Sequence, residues 1–214
     1  MSVAVKICGL GDQESVDAAI EGDADYLGFM FFAASPRHVT ADLVATLVED
    51  APEEVARVGV FVDPSDAELD QVLSHVRLDY IQLHGSESPE RIDEIRLAFG
   101  LPVIKAIGVS AAHDVEAASV FTDHADMLLF DAKPPPGADR PGGNALAFNW
   151  DLMTSYTGTL PWMLAGGLIP ETVADAIAKS GAAAVDVSSG VESSPGRKDP
   201  TLVTAFLKAA KGMG

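Results

Sequence analysis

The sequence predicts an α/β fold, a single (β/α)8 barrel spanning residues 1–214. Three observations carry this reading. Short apolar runs alternate with helix-length amphipathic stretches, the pattern of a parallel sheet with crossover helices. The alternation repeats eight times with no linker or low-complexity break. Polar residues recur on one parity near the C-terminal ends of the runs, where a barrel keeps its functional groups. An open doubly wound sheet is the competing arrangement. It is weakened by Cys8–Gly9–Leu10–Gly11 after the first run, which lacks the GxGxxG spacing of a dinucleotide turn.

The units follow in order. Strand Val3–Ile7 leads through an Asp12 N-cap into a helix ending near Glu21. Strand Tyr26–Met30 is followed by the loop Ser35–Pro36–Arg37–His38 and a helix opening at Thr40. Strand Val58–Val62 precedes Ser65–Asp66–Ala67–Glu68, a capping box in which the serine and glutamate satisfy free backbone donors of the first turn. Strand Tyr80–Leu83 precedes a helix opened by Ser88–Pro89–Glu90. Strand Val103–Ile107 precedes a helix over Ala111–Val120. Strand Met127–Phe130 leads into a Pro- and Gly-rich loop, Lys133–Ala147, and a short helix near Trp150. Strand Trp162–Ala165 ends in Gly166–Gly167, and Pro170 suits the first position of the next helix. Strand Ala183–Val187 ends in Ser188–Ser189–Gly190. Asp199–Pro200 caps a last helix that stops at Gly212.

The formal net charge is −18. That argues against nucleic acid, whose phosphates demand a basic face. Acidic runs such as Glu49–Asp50–Ala51–Pro52–Glu53–Glu54 read as solvated surface. An anionic ligand must therefore be attracted locally, so each cation near a strand end is informative. The one cysteine, Cys8, rules out an internal disulfide and fits a reducing compartment. No targeting stretch and no apolar run of bilayer length is present. The expectation is a cytoplasmic protein without membrane partners.

Strand alternation aims Lys6 and Cys8, Gln82 and His84, Lys105, Asp131, and Asp186 and Ser188 inward. Ile104 and Ala106 are expected to face the helices, with Val5, Ile7, Leu83 and Val187. Five strands then direct polar groups to one mouth. The turns Gly166–Gly167 and Ser188–Ser189–Gly190 let backbone N–H groups approach a ligand closely, and a helix start after them would favour an anion. Together they suggest a phosphate clamp; two ordinary tight turns are the alternative.

A lone cysteine is more often a small buried hydrophobe. Two lysines in the same space would favour its thiolate, which serves as nucleophile or general base. Asp131 is either a loop-capping carboxylate or a general acid opposite Cys8. Arg37, stiffened by Pro36, is either solvated or a bidentate clamp for a carboxylate. His84 is either a satisfied core histidine or a ligand contact. Asp186 either orients a substrate hydroxyl or neutralises a lysine. The histidines are scattered without zinc spacing, so no metal is expected.

The ordered motifs resemble those of the phosphoribosylanthranilate isomerase family of tryptophan biosynthesis. They are Val5–Lys6–Ile7–Cys8–Gly9, Gly28–Phe29 with Ser35–Pro36–Arg37, Gly59–Val60–Phe61–Val62, Gln82–Leu83–His84–Gly85, Phe130–Asp131 and Leu164–Ala165–Gly166–Gly167–Leu168. The run from Asp186 through Glu192 and Pro195–Gly196 to Lys198–Asp199 completes the set. The resemblance implies an Amadori rearrangement, with Asp131 as general acid, Cys8 as general base and Arg37 facing the anthranilate. It implies a small phosphosugar substrate, no cofactor, and a monomer or homodimer. The loop after the sixth strand departs from the family, with Gly142–Gly143–Asn144–Ala145 where many members carry Gly-Gly-Thr-Gly. Two other readings compete. A histidine-pathway isomerase of the same fold uses an aspartate where Cys8 stands, and a non-catalytic phosphosugar-binding barrel would need neither Cys8 nor Asp131.

Overall fold

In the computed structural model, which describes residues 3–133 and 147–212, eight parallel strands close into a barrel in chain order. They are β1 (Ala4–Cys8), β2 (Tyr26–Met30), β3 (Ala56–Phe61), β4 (Tyr80–Leu83), β5 (Val103–Val109), β6 (Met127–Ala132), β7 (Trp162–Leu164) and β8 (Ala184–Val187). Closure is made by β1 and β8, which pair from Ala4↔Ala184 to Ile7↔Val187. That ladder excludes the open sheet. The helices are α1 (Gln13–Glu21), α2 (Ala41–Leu47), α3 (Asp66–Leu73), α4 (Pro89–Phe99), α5 (Ala112–Ala117), α6 (Val173–Ser180) and α7 (Pro200–Lys211). Among the described residues, the crossover from β6 to β7 holds only a 3₁₀ segment, Trp150–Ser155. The Gly142–Ala145 departure lies outside the described residues.

Local chemistry sets the helix ends. Asp12 accepts from Ser15 N, Thr40 from Leu43 N and Ser88 from Arg91 N, so each covers an orphan donor of its first turn. The Ser65/Glu68 capping box forms as expected. Asp199 accepts from Thr201 N and Leu202 N at the start of α7. Pro170 does not open α6. It belongs to a turn in which Thr172 N and Val173 N both donate to the Ile169 carbonyl, and the helix begins only at Val173. After β8 the chain forms a 3₁₀ turn, Ser189–Val191, and then a small antiparallel hairpin absent from the sequence reading. Its strands are β9 (Glu192–Ser194) and β10 (Arg197–Lys198).

Three aspartates tie the starts of neighbouring strands together. Asp25 N donates to Val5 O, and Val5 N donates back to Asp25 Oδ2 at 2.8 Å. Asp79 repeats this with Arg57 (2.7 Å back to Oδ2), and Asp126 with Val103 (2.8 Å). Part of the acid excess is thus structural. It sits at the end of the barrel where such groups serve stability.

Two apolar layers fill the molecule. Val58, Ile104, Ala106, Leu129, Met163, Ala165 and Ala184 pack inside the barrel. Tyr26 and Tyr80, at the first positions of their strands, meet edge to face at 5.9 Å. Outside, side chains such as Ile7, Leu83, Phe130, Val187 and Phe206 are buried between sheet and helices, each worth about 1.5–3 kcal/mol relative to exposure. This partition corrects the expected parity of β5: Ile104 and Ala106 face inward, and Lys105 faces out beside Leu83, its register partner. The outward lysine is tolerated because its ammonium is fully partnered there. It bonds Glu87 Oε2 and Gly85 O at 2.8 Å and Leu83 O at 3.3 Å. Four strands, not five, aim polar groups at the mouth: β1, β4, β6 and β8.

Candidate active site

Cys8 ends β1 and is 5 % exposed. Below it, two positions back on the same face, Lys6 is fully buried and its Nζ lies 2.8 Å from Asp186 Oδ1. Lys6 and Asp186 are register partners across the seam between β1 and β8. Asp186 therefore neutralises Lys6, and Lys105 takes no part. Gly28 on β2 makes room for these groups. A Cβ there would stand 3.0 Å from Lys6 Nζ and 3.1 Å from Cys8 Sγ.

The charges act on one another. Burial pushes the Cys8 thiol upward; Lys6 and, more weakly, Lys198 pull it down, Asp186 pushes it up, and the net direction is upward. Burial alone would lower Lys6, but Asp186 and Cys8 reverse this and hold the ammonium above its ordinary range. Both directions favour a neutral thiol beside a charged ammonium.

Asp131, on β6, is buried and has a partner at each oxygen, a hydrogen bond at one and a histidine contact at the other. Oδ1 accepts from Ala132 N at 2.8 Å, and Oδ2 lies 3.3 Å from His84 Nε2. His84 Nδ1 lies 3.0 Å from Gln82 Nε2, one turn of the alternation below on β4. Assigning the Gln82 nitrogen as donor there leaves His84 with its proton on Nε2, facing Asp131. His84 is thereby placed beside Asp131 rather than in the apolar core.

Arg37 is buried, and its clamp is already engaged. Nε and Nη2 donate to Glu192 Oε1 and Oε2 at 2.7 and 2.9 Å, a bidentate pair within the protein. Lys198 Nζ donates to Glu192 Oε1 at 2.8 Å, to Ser188 O at 3.0 Å and to Ser188 Oγ at 3.3 Å. Burial pushes Glu192 up, but the hydrogen bonds and charges of Arg37 and Lys198 hold it below its ordinary value. Burial lowers Lys198, with Glu192 resisting. The sequence offers Glu192 and Lys198 as motif residues without a role. Their only signal is opposite charges flanking the Pro195–Gly196 tip of a short hairpin.

The two small-residue turns adjoin. Gly190 packs on the Leu168 carbonyl with no room for a side chain, and Gly166 (φ +87°) leaves no space for a Cβ beside Ala132 N. The backbone N–H groups of Gly167, Ser189 and Gly190 find no acceptor among the described residues. The expected helix start directly behind each turn is absent, since α6 begins six residues after Gly167 and Ser189–Val191 is one 3₁₀ turn. An anion placed there would meet free N–H groups rather than a helix dipole. Among the described residues, no cluster of three or more His, Cys, Asp or Glu could hold a metal ion.

A family model described as N-(5'phosphoribosyl)anthranilate (PRA) isomerase matches residues 5–209. The chain belongs to the phosphoribosylanthranilate isomerase family. An N-(5'-phosphoribosyl)anthranilate isomerase of Paramagnetospirillum magneticum is 59% identical over 212 residues, covering 99% of both chains. The crystal structure of phosphoribosyl anthranilate isomerase from Thermotoga maritima superposes with a TM-score of 0.86 at 37% identity, covering 98% of this chain and 99% of that one. A structure of the isomerase in complex with reduced 1-(o-carboxyphenylamino)-1-deoxyribulose 5-phosphate gives 0.83 at 36% identity, with the same coverage. In this member of the phosphoribosylanthranilate isomerase family, the candidate residues divide between strand ends and following turns. Cys8, His84, Asp131 and Asp186 belong to the strand ends, and Arg37, Gly166, Gly167, Ser188, Ser189 and Gly190 to the turns. No helix among the described residues is long and apolar enough to cross a membrane.

Proposed function

We propose that this chain isomerises N-(5'-phosphoribosyl)anthranilate with Asp131 as general acid and Cys8 as general base. Asp131 gives a proton to the ribose ring oxygen as the C1'–O bond breaks, leaving a Schiff base. Cys8, as thiolate, removes the C2' proton. The resulting enolamine tautomerises to the ketone of 1-(2-carboxyphenylamino)-1-deoxyribulose 5-phosphate. One acid and one base, each regenerated, suffice for this, and each contributes about 10²–10⁴-fold when positioned.

The observation that carries this reading is the pairing of each group with its own support on inward strand ends: Lys6 beside Cys8, and His84 on Asp131. Lys6 offsets the charge that Cys8 acquires as thiolate. His84 and Ala132 N orient the Asp131 carboxyl. Asp186 restrains Lys6 across the β1–β8 seam, and in this reading it also orients a sugar hydroxyl.

The substrate has an anion at each end. In this reading Gly167, Ser189 and Gly190 donate to the phosphate, with Gly166 and Ser188 shaping their turns. Arg37 faces the anthranilate carboxylate with its Nη1/Nη2 edge, because its Nε/Nη2 edge is taken by Glu192. In this reading the enzyme is a cytoplasmic monomer or homodimer that needs no cofactor.

The test is loss of anthranilate fluorescence with phosphoribosylanthranilate generated in situ. Wild-type turnover with a drop of about 10²–10⁴-fold in Asp131→Asn is the expected result. A wild-type rate preserved in Asp131→Asn removes the aspartate from its role.

A further inference from the structure

The mouth holds a second buried charge cluster that the acid–base pair does not use. Both oxygens of Glu192 are saturated. Oε1 accepts from Arg37 Nε and Lys198 Nζ, and Oε2 from Arg37 Nη2 and Gly196 N, the last at 3.3 Å. The side chains of Arg37, Glu192 and Lys198 are 4 %, 4 % and 1 % exposed. Lys198 has spent its three N–H groups on Glu192 and on both oxygens of Ser188.

This cluster joins three loops. Gly9, directly after Cys8, is packed by Arg37 Cδ and Ser188 Oγ, which would lie 2.6 and 3.2 Å from a Cβ there. Gly196 (φ +85°), at the hairpin tip, packs against the Pro36 carbonyl. One carboxylate therefore holds the arginine after β2, the serine at the end of β8 and the backbone beside Cys8. Two cations share that single carboxylate, so the cluster keeps one surplus positive charge in a chain of net charge −18. Lys6 adds none, because Asp186 balances it.

We infer that Glu192 and Lys198 are positioning residues for the isomerisation: Glu192 fixes the Arg37 guanidinium for the substrate carboxylate, and through Lys198 it fixes Ser188 for the phosphate. This rests on the functional reading above. Its consequence is that the two ends of the substrate site respond together to one residue that touches neither end. Glutamine at 192 keeps the size but loses the charge, and places an amide N–H against donors on one side.

The experiment measures KM, kcat and inhibition by inorganic phosphate in four proteins, each checked by circular dichroism. In Arg37→Met, KM rises and the phosphate inhibition constant holds. In Lys198→Met, the phosphate inhibition constant rises about tenfold or more, the scale of one charge-assisted hydrogen bond. In Glu192→Gln, both rise while kcat falls less. A folded Glu192→Gln that moves neither quantity overturns the inference. Should Glu192→Gln not fold, Lys198→Met decides: an unchanged phosphate inhibition constant overturns the inference. Absence of wild-type turnover would instead remove the functional reading itself, so the two failures are distinct.

Discussion

Lys6 Nζ stands 2.8 Å from Asp186 Oδ1, side by side on β1 and β8 where the barrel closes. The pair places a charged ammonium beneath Cys8 and leaves no net charge behind it. Lys6→Met strips a buried carboxylate of its partner, a change that costs about 3–5 kcal/mol. Urea unfolding should show a lowered midpoint at constant slope. An unchanged midpoint would mean that the pair carries no weight in the fold.

The pH dependence follows from the direction of the Cys8 shift. Its thiol is raised above the ordinary value of 9.0, with burial the largest cause. The base form therefore grows only as pH rises, and kcat/KM, which reports the free enzyme, should climb through neutrality into the alkaline range. Lys6→Met removes the strongest influence that lowers the thiol, so its limb should lie at still higher pH. A profile flat between neutral and alkaline pH would contradict a thiol base.

Gly28→Ala tests the space around the Cys8 thiol. The added methyl would meet Cys8 Sγ at 3.1 Å, Lys6 Nζ at 3.0 Å and Cys8 Cα at 3.0 Å. Neither buried neighbour can retreat far. The expected result is a kcat reduced about tenfold or more with little change in KM, since a small misplacement of a catalytic group costs rate rather than affinity. Wild-type kcat in this variant would show that the thiol position is not critical.

The other end of the barrel should behave independently. Asp79→Ala leaves Arg57 N without its carboxylate partner and should cost about 1–3 kcal/mol of stability. Its kcat/KM at moderate temperature should match the wild type. A rate loss with no stability loss would place Asp79 in the functional machinery, contrary to its position.

Eight strands and the residues at their ends were legible because parallel strands buried on both faces read as apolar runs with abrupt punctuation. The sign of β5 was not. Reading polarity as inward failed at Lys105 because its partner, Glu87, lies in the loop after β4, and a buried lysine follows its counter-charge. The bidentate clamp of Arg37 was readable as chemistry, but its partner within the chain was not, since Glu192 stands 155 positions away. Pro170 was compatible with a helix start, yet the Ile169 carbonyl captured two N–H groups first and delayed the helix. In each case a non-local or competing hydrogen bond decided, and strand alternation carries no record of it.

The proposed chemistry needs Cys8 as its base. The most direct measurement is phosphoribosylanthranilate turnover by Cys8→Ala, followed through loss of anthranilate fluorescence, with circular dichroism confirming the fold. The expected rate is at least about 10²-fold below wild type. A rate within a few-fold of wild type would contradict it and leave Cys8 as a buried apolar residue at the mouth of the barrel.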